Sequence, residues 1–179
     1  MRNLIQHLRS LARPKLLGAG IVLLGLGIAP TPLFAAEPTA SKPGTVIFVC
    51  KYGSMKSQMA AAYFNRVAKE RGLQLTAISR AFEPDKVIPD MIRENMAKEG
   101  LSPTNETIMS LKPEEAAGAA KVVSFDELPG ENIGQTKYTH WAGSPLSKKD
   151  YWGAMDFIKK HVDEQVAQMT SSPTTVGSR

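Results

Sequence analysis

The sequence predicts an α/β fold, a three-layer sandwich in which a four-stranded parallel sheet carries helices on both faces. Three observations predict it. Strand-like and helix-like segments alternate in βαβα order, the pattern of parallel strands joined by crossover helices. "TVIFV", from Thr45, is an unbroken run of β-branched and aromatic residues and reads as a buried strand. Two helical stripes each close on a glycine, Gly72 and Gly100. A chain of 179 residues with a hydrophobic share of 42% holds one domain with a full core.

The elements follow in order. After the first strand, Lys56 to Arg71 reads as a helix, with Met59, Ala60, Tyr63, Phe64 and Val67 along one stripe. "LTAIS", Leu75 to Ser79, is a second strand, and "RAFEPDKVIP" a loop. Pro89 to Lys98 and the short Pro113 to Ala120 are the next helices, and "KVVSF" is a third strand. "TKYTH" is the fourth strand. Asp150 to Met169 is the last helix, with Phe157, Ile158, Val162 and Val166 as its apolar face. The polar residues 170–179 read as a disordered tail.

The N-terminal residues carry a different signal. Residues 1–36 hold Arg2, Arg9, Arg13 and Lys15 and no acid. Without them the formal charge of +5 falls to 18 basic residues against 17 acidic, so the domain has no nucleic-acid footprint. A basic start, an uncharged run from Leu16 to Ala29 and then "APTPLFAAEP" read as an export signal cleaved after Ala35 or Ala36. An uncleaved anchor is the alternative, since no charge interrupts Leu16 to Ala36. The expected organisation is signal peptide 1–36, linker 37–44, domain 45–169 and tail. The expected compartment is the periplasm, with no stable membrane association once the signal is removed.

The chemistry gathers at "VCKYGSMKS". Cys50 is the single cysteine, so no internal disulfide can form, and a lone thiol in an oxidising compartment is a liability unless buried or used. It ends a strand, and ligands of parallel sheets bind outside the carboxyl ends of strands. The loop Lys51, Tyr52, Gly53, Ser54, Met55 then leads to a helix N-terminus at Lys56. Such a terminus carries about half a positive charge and unsatisfied N–H groups, an anion site that favours the thiolate. Gly53 permits a positive φ. Ser54 and Ser57 can donate hydroxyl hydrogen bonds, and Lys56 adds a full charge. Thiolate and oxyanion cradle in one loop suit nucleophilic attack on phosphorus or arsenic. No cofactor and no metal is implied.

"VIFVCKYGSMKSQMAAAYFN" resembles the phosphate-binding loop of the low-molecular-weight protein tyrosine phosphatases and the related thiol arsenate reductases, whose signature is Val-Cys-x5-Arg-Ser before a Met-Ala helix. "ISRAFEPDKVIPDMIRENMAKEGL", "IMSLKPEEAAGAAKVVSF" and "THWAGSP" are similar to later segments of the same family in the same order. The resemblance spans about Thr45 to Gln168 and implies a four-stranded parallel sheet flanked by helices. It implies that Cys50 is the nucleophile that forms a phosphothiol, and that Ser57 hydrogen-bonds its sulfur. The substrate it implies is a phosphorylated small molecule or protein, or an inorganic oxyanion.

Three positions depart from the family pattern. Lys56 stands where arginine is usual, keeping the charge without the planar fork. Gly53 stands where asparagine is usual, removing a side-chain brace. Ser144-Pro145 replaces the Asp-Pro that supplies the general acid, and serine is a poor acid at neutral pH. "DYWG", from Asp150, resembles that acid loop without its proline. Asp150 is therefore either the acid, with Tyr151 and Trp152 walling the pocket, or the N-cap of the last helix. Asp126, which follows a strand, can also face the site. His140 and Trp141 belong to the strand end and core, His161 to a helix face and Glu127 to solvent. The expected activity is phosphomonoester hydrolysis, with protein phosphotyrosine among the candidate substrates. The alternatives are a weakened oxyanion-binding protein, or an arsenate reductase served by an external thiol, since no second cysteine exists to relay a disulfide.

Overall fold

The structure, a computed structural model, describes residues 44–171. The expected signal, the linker up to Gly44 and the tail beyond Ser171 lie outside the described residues. Strand β1, Gly44–Cys50, is the axis of the sheet, with Val46 to Val49 wholly buried. Strand β2, Leu75–Ala81, pairs with it in parallel from Gly44↔Leu75 to Cys50↔Ala81. Strand β3, Lys121–Ser124, pairs on the other side from Val46↔Lys121 to Val49↔Ser124. Strand β4, Thr139–His140, adds to β3, giving the order β2-β1-β3-β4, all parallel.

The unbroken apolar run of β1 follows from burial on both faces. Successive side chains point to opposite faces of a strand. Val46, Phe48 and Cys50 enter one core with residues of α1 (Lys56–Glu70), α2 (Asp90–Lys98) and α5 (Tyr151–Ser171). There Phe48 lies 5.8 Å from Phe64 and 5.6 Å from Trp141 between ring centroids. Ile47 and Val49 enter the second core with Leu111, Val122 and residues of α3 (Pro113–Gly118) and α4 (Gly130–Ile133). The expected α/β sandwich is the one observed. Burying Phe64 alone contributes on the order of 2 kcal/mol, and Phe64→Ala is the single change in α1 that would open the largest void.

Several boundaries differ from the sequence reading. Arg80 and Ala81, read as loop, are strand, because β1 offers Val49 and Cys50 as partners and Ser110 bridges to Ala81. Helix α4 was not expected: its four residues "GENI" are too short to show a period. Strand β4 is only the last two residues of "TKYTH". Helix α5 continues to Ser171, so Thr170 and Ser171 are helix and not tail. Helix α1 stops one residue early at Glu70, and Gly72 follows at φ +66°.

The outer edge of β2 is occupied from within the chain. The Asn65 amide on α1 donates to the Ala77 carbonyl (2.9 Å) and accepts from the Ala77 N–H (2.6 Å). The Arg80 guanidinium donates to the Ser79 carbonyl (2.8 Å) and pairs with Glu115 through Nε (2.8 Å). Ala81 exchanges backbone bonds with Met109 and Leu111 (3.0 and 2.7 Å).

Tyr151, 5% exposed, lies in the first core with its hydroxyl unpartnered. Burial, and secondarily the Glu99 carboxylate, push its pKa from 10.0 up to about 12. The fold therefore favours the neutral phenol. Stability from this group is complete below pH 10 and is lost as pH rises from 10 to about 12, where only the unfolded chain ionises. Tyr151→Phe is expected to leave stability at neutral pH unchanged or slightly higher. It is also expected to reduce the alkaline loss, read as the urea midpoint against pH for both proteins.

Candidate active site

The order β2-β1-β3-β4 makes β1 the strand at which the chain reverses its winding, and a crevice opens between the carboxyl ends of β1 and β3. Cys50 ends β1 at this crevice and is 5% exposed. The loop Lys51 to Met55 follows, and α1 starts at Lys56.

The loop is held from outside by its carbonyls. The Lys51 carbonyl accepts from the N–H groups of Phe82 (3.3 Å) and Glu83 (2.9 Å), and the Tyr52 carbonyl from that of Asp85 (3.0 Å). Gln58 Nε2 donates to the Gly53 carbonyl (3.2 Å), while Gln58 Oε1 accepts from the Thr104 N–H (3.2 Å). A trans peptide points its N–H opposite to its C=O. The N–H groups of Tyr52, Gly53 and Ser54 are thus turned away from these braces, toward the inside of the loop. The Ser54 hydroxyl donates to the Asp85 carboxylate, a further tie to the same outer segment.

Beneath the thiol lies a short relay. Cys50 Sγ is 3.1 Å from Ser57 Oγ, and Ser79 Oγ donates to Ser57 Oγ at 2.8 Å. Ser57 and Ser79 are buried, at 0% and 1% exposure. Ser57 has one proton. When Cys50 is a thiolate, Ser57 accepts from Ser79 and donates to the sulfur, and every proton in the chain points toward the negative charge.

Gly53 adopts φ +68°, and a Cβ there would stand 2.7 Å from both Ala81 Cβ and Ile108 Cγ2. The glycine that departs from the family pattern is thus enforced by the close approach of β2. The brace that asparagine would supply comes instead from Gln58, buried on α1.

A cavity of about 380 Å³ opens over the thiol. Cys50, Lys51, Tyr52, Ser54, Met55 and Lys56 line one side. Asp126, which follows β3, and Leu146 to Lys149, which precede α5, line the other. Lys56 Nζ sits 5.3 Å from the centroid of the Phe125 ring, a cation–π contact that holds the ammonium at the rim. Lys51 instead pairs with Glu83 (3.3 Å), whose hydrogen bond and charge raise the lysine pKa above its ordinary value. Among the described residues no cluster of three or more His, Cys, Asp or Glu side chains is placed to hold a metal ion.

The same fold recurs in solved structures. YfkJ from Bacillus subtilis is 18% identical with a TM-score of 0.62, over 73% of this chain and 97% of that one. A low molecular weight protein tyrosine phosphatase from T. tengcongensis is 18% identical with a TM-score of 0.55, over 70% and 99%. An arsenate reductase in the phosphate binding state is 20% identical with a TM-score of 0.58, over 70% and 98%. The chain has the low-molecular-weight phosphatase fold. No protein-family model and no curated protein matches the sequence.

Against this phosphatase fold, the expected site residues separate into two groups. Cys50, Lys56, Ser57 and the loop from Lys51 to Met55 come together at the cavity or directly under it. Asp150, expected among the catalytic residues, does not: its Oδ1 accepts from the Gly153 N–H (2.8 Å) as the N-cap of α5, outside the cavity lining. Tyr151 is core and Trp152 is half-exposed against it, so neither walls the pocket. Ser144 likewise stays outside the lining. The carboxylate that does line the cavity is Asp126, whose Oδ2 accepts from the Lys51 N–H at 2.9 Å. Gln58, Ser79, Asp85 and Leu146 to Lys149 were not anticipated. Gln58 left one trace, a polar residue two places after Lys56 at the head of an apolar helix.

Gly53→Ala is expected to destabilise the domain by about 2 kcal/mol or more, since it combines a left-handed alanine with two core clashes. The shift in urea midpoint measures it.

Proposed function

We propose that this protein is an exported phosphomonoesterase that works through a phosphothiol on Cys50. The observation that carries the reading is the Ser79–Ser57–Cys50 relay at the base of the cavity. Ser57 is the buried hydroxyl in contact with the sulfur, and Ser79, which also lies 3.3 Å from the Gly53 carbonyl, bonds Ser57 from behind; a proton passed down this pair stabilises a sulfur that bears negative charge. The Cys50 sulfur attacks phosphorus, the S–P bond forms and the ester P–O bond breaks. The leaving oxygen takes up a proton. Water then attacks phosphorus, and inorganic phosphate leaves as the thiolate returns. The inward N–H groups of the loop and the N-terminus of α1 receive the equatorial oxygens. Lys56 supplies one cationic contact where an arginine fork would supply two.

The fold neighbours named above, a tyrosine phosphatase and an arsenate reductase, support this class of chemistry. The basic and apolar character of residues 1–36 supports export to the periplasm. A phosphorylated protein or a small phosphoester fits an open cavity walled by Tyr52, Met55 and Leu146.

Lys56 also favours a second reading, in which the cavity binds phosphate or arsenate without turnover. The two readings separate in an assay with p-nitrophenyl phosphate. The hydrolytic reading expects measurable turnover by the wild type and complete loss in Cys50→Ser. It expects Lys56→Arg to raise the rate, on the order of 10²-fold if the fork recovers the transition-state grip. Activity that survives Cys50→Ser unchanged would sink the hydrolytic reading. Turnover that arises only in Lys56→Arg would make the native protein a binder. Ser57→Ala is expected to slow breakdown of the phosphothiol, seen as a larger burst of p-nitrophenol relative to the steady rate.

A further inference from the structure

We infer that Asp126 is the proton donor and acceptor of the hydrolysis, since Asp150, the one aspartate between β4 and α5, is spent on capping α5 outside the cavity lining. The inference rests on the phosphomonoesterase reading of the cavity. Three observations lead to it.

The first is position. The β1–β3 register pairs Val49 with Ser124, and the Phe125 N–H donates to the Val49 carbonyl at 2.9 Å. Cys50 and Phe125 therefore leave the two strands side by side, and Asp126 emerges one residue beyond the thiol. The second is exclusivity. Asp126 is the one carboxylate among the described residues lining the cavity that also takes in Cys50. Asp150 caps α5, Asp85 holds Ser54 and Glu83 pairs with Lys51. The third is orientation. The buried Ser124 hydroxyl accepts from the Asp126 N–H (3.2 Å) and donates to the Asp126 carbonyl (2.6 Å). The Lys51 N–H holds Oδ2 at 2.9 Å. Backbone and carboxylate are both fixed, as a proton carrier must be.

In the first step Asp126, as the carboxylic acid, gives its proton to the ester oxygen while the P–O bond breaks and the S–P bond forms. In the second its carboxylate takes a proton from water as the water oxygen bonds to phosphorus. The S–P bond breaks, the electron pair returns to Cys50, and Asp126 is again protonated. The net change is ester plus water to alcohol plus phosphate.

A clamp that merely holds Lys51 would also make Asp126 important, so the test reads something a clamp does not move. General-acid help matters most when the leaving oxygen is strongly basic. Asp126→Asn keeps an oxygen that accepts from the Lys51 N–H and removes the proton. The kcat/KM of wild type and Asp126→Asn is measured with phenyl phosphate and with p-nitrophenyl phosphate, whose leaving group is far less basic. The expected loss is about 10²–10³-fold on the phenyl ester and at least roughly tenfold smaller on the nitrophenyl ester. Equal losses on the two esters would make Asp126 a clamp only, and no loss on either would remove it from the reaction. A wild type that cleaves neither ester would overturn the phosphatase reading and this one with it. If Asp126→Asn shows a lowered thermal midpoint, Asp126→Glu decides, since a retained carboxyl must bring back the smaller loss with phenyl phosphate for the proposal to stand.

Discussion

The interaction on which the rest depends is the double ladder of β1. Seven register pairs with β2 and four with β3 lock a strand buried from Val46 to Cys50 between two neighbours. Since its side chains alternate between two cores, a slip of one residue would send Phe48 and Cys50 into the wrong layer. That register fixes where the sulfur emerges, which residue of β3 stands beside it, and where β2 presses on the loop. The site has little freedom of its own, because the sheet sets the positions of its thiol, of the carboxylate that lines the cavity and of its glycine.

Within that frame, the loop is organised by disposing of its carbonyls. Each bond from Phe82, Glu83, Asp85 or Gln58 removes an acceptor from one side and so orients a donor to the other. Peptide N–H groups fixed by folding are therefore turned toward the inside of the loop, and the Lys56 ammonium stands at the rim. This division explains how the site can keep its shape with lysine in place of arginine: the guanidinium is absent, yet the loop is braced by contacts that do not involve residue 56.

The central strand, the thiol loop and the order of elements were legible because they are local. A β-branched run, a glycine and a helix start can each be read within ten residues of sequence. What was not legible depends on residues far apart in the chain. The contact from Lys51 to Asp126 spans 75 positions and that from Gln58 to Thr104 spans 46. Pattern similarity pointed to "DYWG" because an aspartate beside aromatic residues looks like an acid loop, but the same aspartate is also an ideal N-cap, and helix capping is the role it takes. Tyr151 looked like a pocket wall for the same reason and lies in the core, since the first turn of α5 packs inward. In the sequence Gly53 is a brace missing from the loop, and only the proximity of Ala81 and Ile108 shows that no larger residue fits.

The bonds along the outer side of β2 have a consequence for behaviour in concentrated solution. An open parallel strand is a template on which another chain can build. Here Asn65 imitates a neighbouring strand at Ala77, Arg80 covers Ser79, and the chain around Ser110 covers Ala81. Two of these three plugs are side chains, and Asn65 belongs to α1. Opening of that one helix would bare the edge at Ala77 alone, while Arg80 and the Ser110 segment still cover Ser79 and Ala81, so the edge is guarded by plugs that do not fail together.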